Sequence, residues 1–266
     1  MPTYRLTLEY EGTRYHGWQE QKNARSVAGE LRRAMEESGA AVGELGGSGR
    51  TDAGVHALAQ VAHLRLARPV DPEPFRRAVN DRLPADVHIL SLDPAPDRFH
   101  SRHDAVSRSY LYQISRRRAA LAKRFVWWVK RPLDERRMAE AAALLAGKHD
   151  FRLFCERPAE QPSTLVVVES AEVVTAGALI LVRLSASHFL WKMVRRVVGT
   201  LVQLGAGDID RKAFESLLAA KAPKSGKGLP AEWTAPPSGL FLERVIYKGD
   251  SPLGPVVPVI AVSEER

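Results

Sequence analysis

RSYLYQIS, residues Arg108 to Ser115, sets Tyr110, Tyr112 and Ile114 at alternate positions of one short segment, with Leu111 and Gln113 between them. TYRLTLEY, Thr3 to Tyr10, has the same period, with Tyr4, Leu6, Leu8 and Tyr10 alternating with polar neighbours. Successive side chains of a strand point to opposite faces, so both segments are predicted to be half-buried strands. The segments after each are also similar in kind. After the first come a helix from Val27 to Met35 with Ser26 as N-cap, a glycine-rich loop GELGGSGR, a long strand from Val55 to Leu66, a short helix in DPEPFRRAVNDRL and a strand VHILSLD. After the second come an amphipathic helix between Leu133 and Ala146 with Asp134 as N-cap, the β-branched runs TLVVVESAEVV and ALILVRLSA, helices in HFLWKMVRRVVGTLVQLG and IDRKAFESLLAA, and a closing strand GLFLERVIY. The recurrence predicts an internal duplication with a junction near residue 105.

Strands with helices packed on them in both halves predict an α+β fold, each sheet having one face covered and one left for a ligand. The expected architecture is two related ferredoxin-like halves sharing an extended, mostly antiparallel mixed sheet with a central basic cleft. The expected division is 1–105 for the N-terminal half, 106–249 for the C-terminal half and 250–266 for a tail. That tail, with its repeated prolines, and the stretch from Ser225 to Ser238 read as loops rather than core.

The 266 residues are 45% hydrophobic and 26% charged, close to ordinary globular averages, which argues against disorder and fibrous architectures. No apolar run approaches the roughly 20 residues of a membrane-spanning helix, and MPTYRLTLEYEG lacks the apolar core of a signal peptide. A cytoplasmic location without membrane attachment is therefore expected. Cys155 is the only cysteine, so no intramolecular disulfide forms; it reads as a half-buried thiol rather than a nucleophile. Lys and Arg outnumber Asp and Glu by 39 to 31, which favours a polyanionic partner. Between Arg98 and Arg131 only Asp104 opposes a basic run that includes Arg116, Arg117 and Arg118, which are expected to contact phosphates of a polyanionic partner at a rim.

GGSGRTDAGVHA, Gly46 to Ala57, is the barest stretch of the chain. Glycines permit close backbone approach, and consecutive amides in such a turn hold anions. A phosphate-binding loop fails on spacing, and the segment leads into a strand, which excludes a dinucleotide fingerprint as well. Asp52 remains, beside Arg50. The residues leave two readings open: an Asx-turn former, or a nucleophile kept ionised by a neighbouring guanidinium.

The run GSGRTDAGVHALAQVAH closely resembles the signature of the tRNA pseudouridine synthase A family. LEYEGTRYHGWQEQ, VNDRLPADV, RFHSRHDAVSRSYLYQI, AGKHDF, FLWKMVRRVVGTL and APPSGLFLERVIY resemble the family's other landmarks in the same order, from about Tyr4 to Tyr247. The resemblance implies that Asp52 is the nucleophile, Tyr110 stacks on the target base, Arg195 pairs with the nucleophile, Arg50 holds phosphate or helps flip the base, and Leu240 lines the pocket. It further implies uridines of the tRNA anticodon stem-loop as substrate and a homodimer. Ser101, His103 and the stretch RLFCERPAEQPSTLVVVES depart from the family pattern. A non-catalytic RNA-binding module is the rival reading. A metal-dependent hydrolase using His56, His63, His100 and His103 with Asp52 or Asp104 is a third, with an HSRH spacing poorly suited to one helical face. No compact ligand cluster is evident, so neither metal nor organic cofactor is expected.

Overall fold

The computed structural model describes residues 1–264. The chain divides into two compact units: Met1–Val106 with Phe241–Asp250, and Ser107–Leu240 with the segment from Ser251 onward. Both units are α+β.

In the first unit, β1 (Thr3–Tyr10) lies between β4 (Val87–Ala95) and β3 (His56–Leu66), antiparallel to both. Leu6 faces Ala62 on one side and Leu92 on the other, and the alternating residues Tyr4, Leu6, Leu8 and Tyr10 are all buried, as their period of two requires. On its other edge β3 carries two partners. β10 (Leu240–Tyr247) runs parallel to its first residues, and β2 (Val42–Gly47) runs antiparallel to its last. Helix α1 (Val27–Glu37) packs against β2, and α2 (Pro72–Asn80) packs against β4. The Ser26 side chain caps α1 by accepting from Gly29 N–H at 3.2 Å.

Two expectations need correction here. GELGG is strand β2 rather than loop: its pattern carries no alternation, but Leu45 pairs with Leu64 and Gly46 with His63 on β3. Its glycines are required by what covers them. A Cβ on Gly47 would stand 2.6 Å from the Trp18 ring, and one on Gly46 would stand 2.3 Å from His63. The closing strand, expected with residues 106–249, belongs to the first unit from Phe241 to Asp250, because β10 hydrogen-bonds to β3 through Phe241 and Leu242.

In the second unit, β5 (Ala105–Ser115), β9 (Leu179–Ala186), β8 (Leu165–Ala176) and β7 (Gly147–Asp150) form an antiparallel sheet in that order, and β6 (Trp127–Trp128) adds to β5 in parallel. Helix α3 (Glu135–Ala143) packs on β8 and on α4 (Met193–Gly205), and α5 (Arg211–Leu218) packs on α4. The Asp134 side chain caps α3 through Arg137 N–H at 3.0 Å.

The tail forms no helix or strand among the described residues, as its prolines suggested, but part of it joins the core. Val262 is 5% exposed and joins Leu111, Leu179 and Leu181 in one apolar cluster, with Val256 and Val259 packed beside it. Main-chain groups of the tail also satisfy polar residues of the sheet. Arg183 donates to the carbonyls of Gly254 and Pro255 at 2.8 and 3.1 Å, and Val259 N–H donates to Gln113 Oε1 at 2.7 Å. A buried guanidinium and a buried amide require such partners, so the tail closes a sheet face that would otherwise expose both apolar and polar groups. Replacing Val262 by Ser should therefore cost about 2 kcal/mol of unfolding free energy, the value of one fully buried aliphatic side chain. Val257→Ser, at a position 58% exposed, should leave the melting temperature unchanged in the same scan.

Candidate active site

The loop between β2 and β3 is shaped by backbone contacts. Val55 N–H donates to Asp52 O at 3.1 Å, closing a turn over Ala53 and Gly54. Gly54 has φ +78°, which a type II turn demands at its third residue and which only glycine adopts without strain. The segment from Glu11 to Trp18 lies directly on this turn. Trp18 N–H donates to Thr51 O at 3.1 Å, and Gly54 N–H donates to Tyr15 O at 3.2 Å. A Cβ on Gly12 would meet Val55 O at 2.0 Å, and one on Gly17 would meet Thr51 O at 2.4 Å. The glycines of YEGTRYHGW thus let one stretch of main chain seat on another.

Side chains fix the loop from beneath. Thr51 is buried, and its hydroxyl shares a 2.8 Å hydrogen bond with Tyr10 OH. Gln60, fully buried on β3, donates from Nε2 to Gly49 O at 2.8 Å. Burial pushes the Tyr10 phenol up to about 12, so it stays a neutral hydrogen-bonding group at physiological pH. His56 accepts Gly12 N–H at its Nδ1 at 3.0 Å, and its ring stacks on Phe241 with centroids 4.8 Å apart. These contacts leave Asp52 partly buried, one residue after a rigid threonine, and Arg50 exposed on the same loop.

The second unit carries the other expected residues. Tyr110 on β5 is 8% exposed, and the Phe189 ring meets it edge-on at 4.9 Å. Tyr112, two residues along the same strand face, donates from its hydroxyl to Pro236 O at 2.7 Å. Arg195 on α4 is partly buried and donates from Nε to Ala235 O at 2.7 Å, while Ala235 N–H returns a bond to Arg195 O at 3.0 Å. The adjacent Arg196 is turned elsewhere and pairs with Glu156 and the Cys155 carbonyl. Cys155 is buried, and that burial raises its thiol pKa, in keeping with an inert role. Leu240 is buried at the start of β10. Asp52 and Arg50 therefore stand on the first unit, and Tyr110, Arg195 and Leu240 on the second.

Arg116, Arg117 and Arg118 have unlike surroundings. Arg116 pairs with Glu135 at 3.0 Å and Glu264 at 2.9 Å, and Arg117 donates to Ser263 O at 2.7 Å. Arg118 lies over the exposed Trp128 ring at 5.8 Å.

Tyr10, Thr51, Gln60 and Phe189 are not legible as site residues in the sequence because each acts through a contact distant along the chain; the strand position of Tyr10 and the aromatic before LWKMVRR are the available signals. The expectation that no ligand cluster exists is corrected too. Among the described residues Glu44, His63 and His100 converge, with ligand atoms within 4.8 Å of one another, and neither Asp52 nor His56 belongs to that group. A hydrolytic metal centre around Asp52 thereby loses its support.

A family model described as tRNA pseudouridine synthase matches residues 7–104 and 141–248. The chain belongs to the tRNA pseudouridine synthase family. A tRNA pseudouridine synthase A of Nitrobacter winogradskyi is 40% identical over 256 residues, covering 95% of this chain and 98% of that one. A protein of the same name from Mesorhizobium japonicum is 42% identical over 252 residues, covering 93% and 100%. The crystal structure of an unknown protein from Galdieria sulphuraria matches over 78% of this chain and 93% of that one at 12% identity, with a TM-score of 0.22, too slight a likeness to inform the fold. As a tRNA pseudouridine synthase the chain is an isomerase, and its RTDAGVH loop is the turn that Tyr10, Gln60 and the Glu11–Trp18 main chain hold in place.

If the Tyr10–Thr51 bond holds the loop, Thr51→Val should cost about 1–3 kcal/mol by leaving a buried phenol short of its partner. Tyr10→Phe combined with Thr51→Val should cost less than the sum of the single changes, by at least about 0.5 kcal/mol in a denaturant double-mutant cycle. Additive losses would show that the two hydroxyls do not act together.

Proposed function

We propose that Asp52 is the covalent nucleophile in converting uridine to pseudouridine within the anticodon stem-loop of tRNA. The observation that carries this reading is the seating of the Asp52 turn: the Glu11–Trp18 main chain and a buried hydroxyl pair fix its backbone, while the residue remains only partly buried. A nucleophile needs that combination of fixed position and access.

The reaction breaks the bond between C1′ of the ribose and N1 of uracil and forms one from C1′ to C5. N1 gains a proton and C5 loses one, so no oxidant or reductant enters. Asp52 assists by adding to the ring or by attacking at the sugar. Tyr110 supports the flat face of the detached base, and Phe189, edge-on against it, limits where that ring can turn. Arg195, fixed at Nε by Ala235, keeps guanidinium charge for the carboxylate, and Arg50 takes phosphate or helps unstack the target, a step costing a few kcal/mol. Leu240 is a wall residue. Neither a metal nor an organic cofactor enters these steps. The working form in this proposal is a cytoplasmic homodimer, a reading that rests on the family resemblance. The basic excess supports tRNA rather than an uncharged substrate. No helix among the described residues is long and apolar enough to cross a membrane.

Asp52→Asn keeps the side chain's shape and removes its nucleophilicity. Pseudouridine formation, read as tritium released from 5-labelled uridine in tRNA, should fall at least about 10⁴-fold, or roughly 5.4 kcal/mol. Filter binding of unmodified tRNA should change little, because phosphate contacts spread over the surface carry most of the affinity. A folded, tRNA-binding Asp52→Asn protein retaining more than a few per cent of turnover would overturn the assignment. A non-catalytic RNA-binding module would show binding in both proteins and tritium release in neither.

The phosphate role proposed for Arg116, Arg117 and Arg118 divides along their surroundings. Arg118→Ala should reduce the slope of log affinity against log salt by about 0.7 to 0.9, the contribution of one phosphate contact. Arg116→Ala, which frees Glu135 and Glu264, should instead lower the melting temperature and change the slope less.

A further inference from the structure

Seven residues beyond His56 on β3, about 23 Å along the strand at roughly 3.3 Å per residue, His63 stands in a setting that the isomerisation does not use. Its Nε2 is 3.1 Å from Glu44 Oε1 on β2, and its ring centroid is 4.4 Å from that of His100. The His103 ring lies tilted against that of His100, with centroids 4.2 Å apart. His63 is 1% exposed, whereas Glu44 keeps 46% of its side chain in solvent and His100 is partly open, so an ion from solution has access to a donor group anchored in the core.

We propose that Glu44, His63 and His100 form a binding site for one divalent transition-metal ion of the zinc type, which clamps β2 to β3 and to the turn at His100. Two imidazole nitrogens and a carboxylate oxygen are donors that borderline ions such as zinc accept, whereas calcium and magnesium select oxygen. Tetrahedral bonds of about 2.0–2.1 Å put ligand atoms roughly 3.4 Å apart. The Glu44–His63 pair is already near that spacing, and the third ligand atom lies within 4.8 Å of both, so an ion would draw in His100, whose Nδ1 accepts from Arg102 and His103 N–H at 3.2 and 3.4 Å.

The surroundings of His63 hold its ring in place. Ser101 N–H donates to His63 Nδ1 at 3.3 Å, and Ser101 Oγ, 2.9 Å from the same nitrogen, donates its own proton to Gly46 O at 2.7 Å. In the ion-free protein the ring proton thus sits on Nε2 toward Glu44, and an ion taking Nε2 shifts the proton of the neutral imidazole to Nδ1, where Ser101 Oγ accepts it as an outer-shell partner. The bare Gly46 backbone lies against the imidazole and holds its plane, since any Cβ there would overlap it. Arg65 takes the other Glu44 oxygen at 2.8 Å, so Oε1 remains for coordination. β2 runs at Gly47 into the loop that carries Arg50 and Asp52, so an occupied site would stiffen the strand that delivers that loop. The inference stands independently of the chemistry assigned to Asp52.

The full-length protein, dialysed against EDTA and then freed of chelator, is titrated with zinc chloride by calorimetry and with cobalt chloride by visible absorption. The expected result is one zinc per chain, a cobalt ligand-field band of tetrahedral intensity, and a melting temperature that rises with zinc. His100→Ala and Glu44→Gln should each weaken zinc binding at least about tenfold while melting like the parent protein in its absence. Parental affinity in either variant, or no zinc bound by the wild type, overturns the site. Should a variant fail to fold, the zinc X-ray absorption spectrum of the wild type decides: two imidazole ligands support the assignment, and fewer overturn it.

Discussion

The seating of the Glu11–Trp18 main chain on the Thr51–Val55 turn is the contact on which the first unit depends. Two glycines make it possible, since a Cβ at Gly12 or Gly17 would overlap a carbonyl oxygen of the turn. The same segment also starts α1, whose first amides donate to Gly17 O at 3.2 Å and Trp18 O at 3.1 Å. Helix, turn and the strands on either side are therefore held by one short stretch. Its Trp18 ring, 3% exposed, covers Gly47 at the end of β2. A displacement anywhere in this stack reaches Asp52 through backbone rather than through flexible side chains, which is how an exposed loop comes to hold a defined position.

The second unit solves a different problem. Strand β9 is buried throughout its length and β5 from Ser107 onward, yet they carry Arg108, Gln113, Arg183 and Ser185. Polar groups in such strands need partners, and those of Gln113 and Arg183 come from the carbonyls and amides of the tail as well as from Glu172 at 3.7 Å. The tail is an irregular chain whose main-chain groups are not consumed by a ladder of its own, so it has donors and acceptors to offer. Its valines meanwhile cover Leu111, Leu179 and Leu181. One segment thus supplies both kinds of closure to the same sheet face.

Neighbouring residues of α4 show how helical geometry assigns chemistry. Arg195 and Arg196 have the same side chain, but a rotation of about 100° between successive positions sends them to different surroundings. Arg196 is 7% exposed and tied to Glu156 and the Cys155 carbonyl, which leaves it a structural cation. Arg195 keeps contact with the Pro-rich approach to β10 through Ala235, and burial of the neighbouring Tyr112 raises that phenol well above its ordinary pKa, with Arg195 as the opposing influence.

Much of this is legible in the residues. Where one strand face is buried, as in β1 and β4, the pleat enforces alternation of apolar side chains, and that alternation identifies both strands; the caps Ser26 and Asp134 announce α1 and α3 in the same way. The α+β class and the family follow from such local signals and from ordered motifs. Strand β2 and the tail are illegible for a common reason: GELGG and the proline-rich tail have weak preferences of their own, and each takes its form from a partner far away in sequence, β3 in one case and the Gln113–Arg183 face in the other. The sequence by itself determined most of the strands and helices, though not β2, and which loop bears Asp52, because these depend on neighbours a few residues apart. Only the tertiary structure decided that Tyr10 supports Thr51, that β10 joins the first unit and that Glu44, His63 and His100 meet, because burial and hydrogen bonding between segments distant along the chain leave no period or spacing in the sequence to read.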